Sequence, residues 1–238
     1  MKIDILAFGV HPDDVELSCS GTILKHIKLG KKVGIIDLSK GELGTRGNAE
    51  IRAKEAIKSA KILGVAFRET LNMQDGFFQN DKEHQLKIIE KIRQYQPEIV
   101  LCNAVEDRHP DHGRAAKLVA DACFYSGLIK IKTELNGKTQ LKWRPKAVYH
   151  YIQDRFIHPD IVVDVTEFVE KKIEAIKTFS SQFYNPKSKE PETPISSEDF
   201  LDFVKSRMKN FGRDIGVKYA EGFTSSRYIG VNDLFDLI

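Results

Sequence analysis

Ile3-Asp-Ile-Leu-Ala-Phe-Gly-Val-His-Pro-Asp-Asp14 is the stretch whose reading decides the fold. Apolar residues crowd Ile3 to Phe8, and after Gly9-Val10 a histidine, a proline and two carboxylates follow at once. A compact apolar run that stops at polar turn residues reads as a buried strand, and Val15 to Leu29 then carries apolar residues at helical spacing. Lys32 to Leu38 is strand-like again, so the chain opens with a β-α-β unit.

The same alternation continues downstream. Asn48 or Ala49 to Leu63 reads as a helix stopped by Gly64, Phe67 to Leu71 as a short strand, and Lys82 to Tyr95 as a helix that Pro97 separates from the buried strand Glu98 to Cys102. Asp111 to Tyr125 is the next helix. Repeated alternation predicts the α/β class, a Rossmann-like, mostly parallel sheet flanked by helices on both faces. Beyond Gly127 the order is an irregular α+β mixture. Ile129 to Pro145 is polar and lysine-bearing, Ala147 to Ile152 and Ile161 to Val165 are strand-like, and Thr166 can cap a helix running to about Phe179. Asn185 to Ser197, with Pro186, Pro191 and Pro194, reads as a loop, followed by an amphipathic helix from Glu198 to Phe211. No repeat or linker divides the chain, so 1–238 is expected to be one domain, with 1–126 as its core and 127–238 framing a pocket.

Composition narrows the function classes. In 238 residues, Lys+Arg 37 against Asp+Glu 34 leaves a net charge of only +3. With no basic block interleaved with aromatics, no nucleic-acid track is expected, and the partner is a small molecule. No apolar run approaches the roughly 20 residues that span a bilayer, so no membrane segment is expected, and with no targeting signal read after Met1 the expected location is cytoplasmic. Cys19, Cys102 and Cys123 lack C-x-x-C spacing and read as reduced core thiols. His26 and His84 lie in helix patterns with no acidic partners at ligand spacing and are left out of the site. His158, beside Pro159 and before a strand, reads as a loop histidine rather than one reaching the pocket from the second half, and Tyr219 to Phe223 reads as packing of the C-terminal segment.

A second cluster, His109-Pro-Asp-His112, follows the strand ending at Cys102. In parallel sheets, sites form beyond the carboxyl ends of strands, which is where both clusters fall. His11 and Asp14 lie three apart at a strand-to-helix junction, and His112 reaches in from the other loop. Two imidazoles and a carboxylate can hold a divalent ion and leave room for water. Zinc (Zn2+) is the expected metal, with iron (Fe2+) an alternative in cells, because the same ligand set in iron oxygenases usually sits on an antiparallel scaffold. Asp13 is then the candidate general base, and His109 a candidate donor to the oxyanion formed when water attacks an amide carbonyl. Asp111 is expected to hold the His109 ring and favour its imidazolium form. Either Asp13 or His109 protonates the departing amine. No G-x-S-x-G elbow or Cys–base pair suggests a covalent route. Glu42, after the second strand, can face the same pocket.

The two clusters resemble the signatures of the LmbE-like, or PIG-L, family of zinc-dependent N-deacetylases. The likeness continues through Gly41-Glu-Leu-Gly-Thr-Arg-Gly47, Glu50-Ile-Arg52, Leu71-Asn-Met-Gln-Asp-Gly76, Ser181-Gln-Phe183 and Tyr219-Ala-Glu-Gly-Phe223, which are similar to its bacillithiol-biosynthesis branch. The resemblance implies an LmbE-like fold and removal of acetate from an N-acetylglucosamine conjugate, N-acetyl-α-D-glucosaminyl L-malate, by attack of a zinc-bound water. It implies His11, Asp14 and His112 as metal ligands, Asp13 as base, and His109 with Asp111 as an electrostatic pair. By the same resemblance Arg52 grips sugar or malate oxygens, Asp75 accepts hydrogen bonds from ring hydroxyls, and the chain assembles as a homo-oligomer, a trimer or hexamer. The alternatives are a deacetylase or amidase for another glucosamine conjugate, and a non-catalytic sugar- or nucleotide-binding module.

Overall fold

Strand β1 (Ile5–Gly9) is buried along its whole length. Successive residues take opposite faces of the sheet, so Ile5 and Ala7 join one core with Val15, Cys19 and Ile23, while Leu6 and Phe8 join another with Ile88, Ile92, Leu118 and Val119. An uninterrupted apolar run is what a strand covered on both faces requires. The computed structural model describes residues 1–237. In chain order, β1 is followed by α1 (Asp14–Lys28), β2 (Val33–Asp37), α2 (Ala49–Leu63), β3 (Phe67–Thr70), α3 (Lys82–Tyr95), β4 (Ile99–Cys102) and α4 (Pro110–Ser126). The alternation expected from the sequence is present, with each boundary within a few residues.

The central sheet has the order β3-β2-β1-β4-β7-β9-β8, where β7 is Ala147–Tyr151, β8 Ile161–Asp164 and β9 Ala220–Thr224. The first five of these strands are parallel, and β9 runs antiparallel to both of its neighbours, β7 and β8. Helices α1 and α2 pack on one face with α5 (Val169–Lys177), and α3 and α4 pack together on the other. From β1 the chain moves outward to β2 on one side, and later returns to β1 on its other side as β4, so the crevice between β1 and β4 is the topological switch point.

Three features of the second half differ from expectation. A small hairpin, β5 (Glu134–Leu135) with β6 (Lys138–Thr139), occupies the polar stretch after Ile129. Thr166 caps no helix: its amide donates to Asp164 Oδ1, its hydroxyl to the Tyr219 carbonyl, and a 3-10 turn over Thr166–Phe168 precedes α5. The segment read as packing is strand β9, bonded to both β7 and β8. Its Glu221 is buried against Lys172 (2.6 Å) and accepts from the Gly21 and Thr22 amides of α1. The expected amphipathic helix is α6 (Phe200–Asp214), and 185–197 is without helix or strand. All three cysteines are free and buried. Among the described residues no helix is long and apolar enough to cross a membrane.

Candidate active site

His11-Pro-Asp leaves β1 and turns into α1. Asp14, the first helical residue, accepts on Oδ2 from the Val10 (2.9 Å) and His11 (3.0 Å) amides, which folds the turn back so that the His11 and Asp14 side chains meet. Asp13 takes the strain of this turn at φ 133, a region L residues rarely occupy, and such strain clusters where function over-determines the backbone. At the end of β4, His109 caps α4, its Nδ1 accepting from the Asp111 amide at 3.3 Å, and Pro110 fills the first helical position, where no N–H is needed. His112 follows in the first turn.

Donor atoms of His11, Asp14 and His112 lie within 4.8 Å of one another, all on buried residues. Each imidazole is held from behind. His112 Nδ1 is 2.6 Å from Asp107 Oδ2, which aims Nε2 at Asp14 Oδ1 (3.2 Å). His11 Nε2 is 2.9 Å from Asp75 Oδ1, leaving Nδ1 toward Asp14 (3.8 Å). Carboxylate-backed histidines are the usual outer shell of a metal site, because they fix the ring and raise its basicity. Asp14 is fixed as firmly, by Asn103 Nδ2 (2.9 Å) and Gln153 Nε2 (3.1 Å). Two neutral-capable imidazoles and one carboxylate fit a divalent ion such as zinc or iron. A second cluster, His11 with His109 and Asp111, is also close, but there the carboxylate is already neutralised by Arg114 at 2.7 Å.

Electrostatics separate the two adjacent aspartates. Burial alone would raise Asp14, yet His112 and His11 beside it hold it well below the usual carboxylate range. At Asp13 burial wins: the carboxyl is lifted to about 7, with Arg52 opposing and Asp14 reinforcing. A carboxyl near neutrality can both take and return a proton under physiological conditions. Burial overtaken by the Asp14 and Asp107 carboxylates raises His112 to about 10. His109 is drawn below its ordinary value by burial and then by His11 and His112. With Nδ1 accepting the Asp111 amide, the His109 ring carries its proton on Nε2.

A cavity of about 350 Å³ opens over this cluster, walled by Asp13, His109 and Arg52 among others. Four predicted site residues sit there or nearby in uses other than those expected. The Asp111 carboxylate bonds Arg114 (2.7 Å) and the Gly76 amide (2.9 Å) rather than the His109 ring, and although its charge favours the His109 imidazolium, burial, His11 and His112 outweigh it. Arg52 lines the cavity, but its fork is engaged with the Pro12 carbonyl (2.8 Å), the Gly41 carbonyl (3.2 Å) and Asp13 (3.2 Å), leaving Nε without a partner. Gly41, at φ +65, is required there: a Cβ would stand 2.1 Å from Arg52 Nη1. Asp75 spends its oxygens on His11 and the Leu43 amide. Glu42 is exposed and accepts from the Asp75 amide (2.9 Å), steadying that loop from outside the cavity wall.

Sequence reasoning passed over Asp107, Asn103 and Gln153. Asp107, five residues before His112 in the same loop, is detectable as an acid behind a candidate ligand. Asn103 directly follows β4, a strand-end signal. Gln153 had no local signal, because only the sheet order brings the end of β7 beside β4.

The model of the PIG-L family, GlcNAc-PI de-N-acetylase, matches residues 6–123, which hold both histidine clusters. The conserved protein TT1542 from Thermus thermophilus superposes with a TM-score of 0.85 at 30% identity, covering 97% of this chain and 98% of that one. The chain belongs to the PIG-L family. PIG-L-type relatives differ in the activity they carry. A diacetylchitobiose deacetylase of Thermococcus kodakarensis is 28% identical over 92% of this chain and 81% of its own length. A Bacillus anthracis protein described as "Probable N-acetyl-alpha-D-glucosaminyl L-malate deacetylase 2" is 26% identical over 75% and 81%. A 4-oxalmesaconate hydratase of Pseudomonas putida is also 26% identical, over 74% and 73%.

Proposed function

We propose that the protein is a metal-dependent N-deacetylase of N-acetylglucosamine conjugates, with N-acetyl-α-D-glucosaminyl L-malate as its substrate. The observation that carries this reading is the convergence of His11, Asp14 and His112, each braced from behind, with Asp13 and His109 on the wall of one cavity. Family membership and the deacetylases among its relatives support the class of reaction, and the Bacillus relative supports the malate conjugate.

A divalent ion held by His11, Asp14 and His112, zinc or iron, would supply Lewis acidity toward the amide carbonyl and an attacking water. Asp13 takes a proton from that water as its oxygen adds to the carbonyl carbon. The neutral His109 donates its Nε2–H to the oxygen that gains charge. Asp13, its carboxyl lifted by burial to about 7, passes the proton on to the departing nitrogen, and the C–N bond breaks to give acetate and a free amine. Arg52 keeps the Asp13 carboxyl in place at 3.2 Å.

The hydratase relative favours a second reading, water addition to an unsaturated acid with the same base. Acetate release measured on N-acetylglucosamine, its malate conjugate and its inositol conjugate, with metal content determined on the same preparation, separates the two. Release from the malate conjugate that chelation and Asp13→Asn both abolish is the expected result. Release surviving both changes, or hydration of an enol acid with no deacetylation, overturns the proposal.

A further inference from the structure

Arg207 of α6 lines the same cavity from the C-terminal side, and among the described residues no carboxylate lies within ion-pair reach of its guanidinium. The acidic groups whose charge it feels are already partnered: Asp154 with Arg108 (2.7 Å), Asp107 with His112 (2.6 Å) and Glu221 with Lys172 (2.6 Å). Its one hydrogen bond goes to the Leu17 carbonyl of α1 (3.3 Å). That bond sets it one peptide unit from Ser18, a cavity-lining residue only 4% exposed whose hydroxyl has no hydrogen-bond partner. Thr193, across the same wall, also lines the cavity with an unpartnered buried hydroxyl. Burial draws the Arg207 pKa down to about 10 against the pull of those carboxylates, the mark of a cation held without its own counter-charge.

Two buried hydroxyls without partners and a guanidinium without a counter-charge, all lining one cavity, cost stability unless a ligand completes them. The Arg52 fork is already occupied and Arg108, also on the cavity wall, is paired with Asp154, so Arg207 is the lining arginine with no carboxylate partner among the described residues. We infer that Ser18, Thr193 and Arg207 form an anion-binding subsite that selects glucosamine conjugates with a carboxylate on the aglycone. This inference rests on the deacetylase reading for the sugar end of the cavity, and supplies what that reading lacks, a place for the acidic end.

Binding separates the two claims. Calorimetric titration of the metal-loaded protein with glucosaminyl L-malate and with methyl glucosaminide reads the subsite, while acetate release from the N-acetyl forms of both by the same protein preparation reads the chemistry. Wild type is expected to favour the malate conjugate by about tenfold or more, the scale of one charge-assisted hydrogen bond. Arg207→Gln is expected to collapse that ratio toward one, Arg207→Lys to retain part of it, and Ser18→Ala to reduce it by a smaller factor. Equal affinities in wild type, or a ratio that persists in Arg207→Gln, overturn the subsite. So does a parallel loss for both ligands, the signature of Arg207 serving only to brace Leu17. If Arg207→Gln does not fold, Arg207→Lys and Ser18→Ala carry the comparison, and ratios equal to wild type in both overturn it. Selective binding without acetate release would leave the subsite standing and remove the deacetylase.

Discussion

His11-Pro-Asp-Asp14 and His109-Pro-Asp-His112 differ by one letter, yet the fold uses them in opposite ways. In the first, the motif is a strained turn ahead of a helix, so its third residue, Asp13, is left facing the cavity. In the second, the same letters form the cap and first turn of α4, and the third residue, Asp111, is buried against Arg114 and Gly76. The first motif gives both its histidine and its last residue to the donor cluster, whereas the second gives only its last residue, and His109 is left on the cavity wall. Identical side chains take their chemistry from the backbone that presents them.

That contrast can be broken most severely by taking the metal away: chelation is expected to abolish acetate release, and readdition of zinc or iron to restore it, with atomic absorption following occupancy. Asp13→Asn comes next. It is expected to lower kcat by about 10² to 10⁴-fold, the contribution of a general base, with metal content unchanged, and a loss of metal would instead make Asp13 a ligand. Asp107→Asn and Asp75→Asn test the braces behind the two imidazoles, each expected to weaken metal affinity by about 10 to 100-fold in competition with a fluorescent chelator. Should only one do so, the two histidines are not equivalent holders. Asp111→Asn has the smallest expected effect on rate. Loss of the Arg114 pair is expected to lower stability by about 1–3 kcal/mol in urea unfolding, and a fall in kcat comparable to that of Asp13→Asn would return Asp111 to the role of holding the His109 ring.

Much of this arrangement is legible in the residues. Strands covered on both faces announce themselves as apolar runs, and two histidine clusters at strand ends a hundred residues apart can meet only if those strands are neighbours, as β1 and β4 are. Apart from Asp107, which is local to His112, what escaped reading depends on contacts remote in the chain. Asp75 lies 64 residues from the His11 ring it holds, and Gln153 reaches Asp14 across 139. Strand β9 carries Glu221 and Gly222, poor strand formers taken alone. The glutamate is tolerated because Lys172 and two α1 amides await it, and a side chain on Gly222 would press on Phe211 and Ile152. Asp111 is two residues from His109 in sequence, but helical geometry turns its carboxylate toward Arg114, three residues on, so it acts on the His109 ring through charge and not through a side-chain hydrogen bond.

The φ of 133 at Asp13 has an evolutionary corollary. Holding an L residue there costs about 1–3 kcal/mol, and glycine would relieve it while also removing a desolvated acid. A screen that rewards heat resistance and ignores turnover should therefore enrich glycine at position 13, discarding the proposed catalyst as the first step toward a sturdier protein.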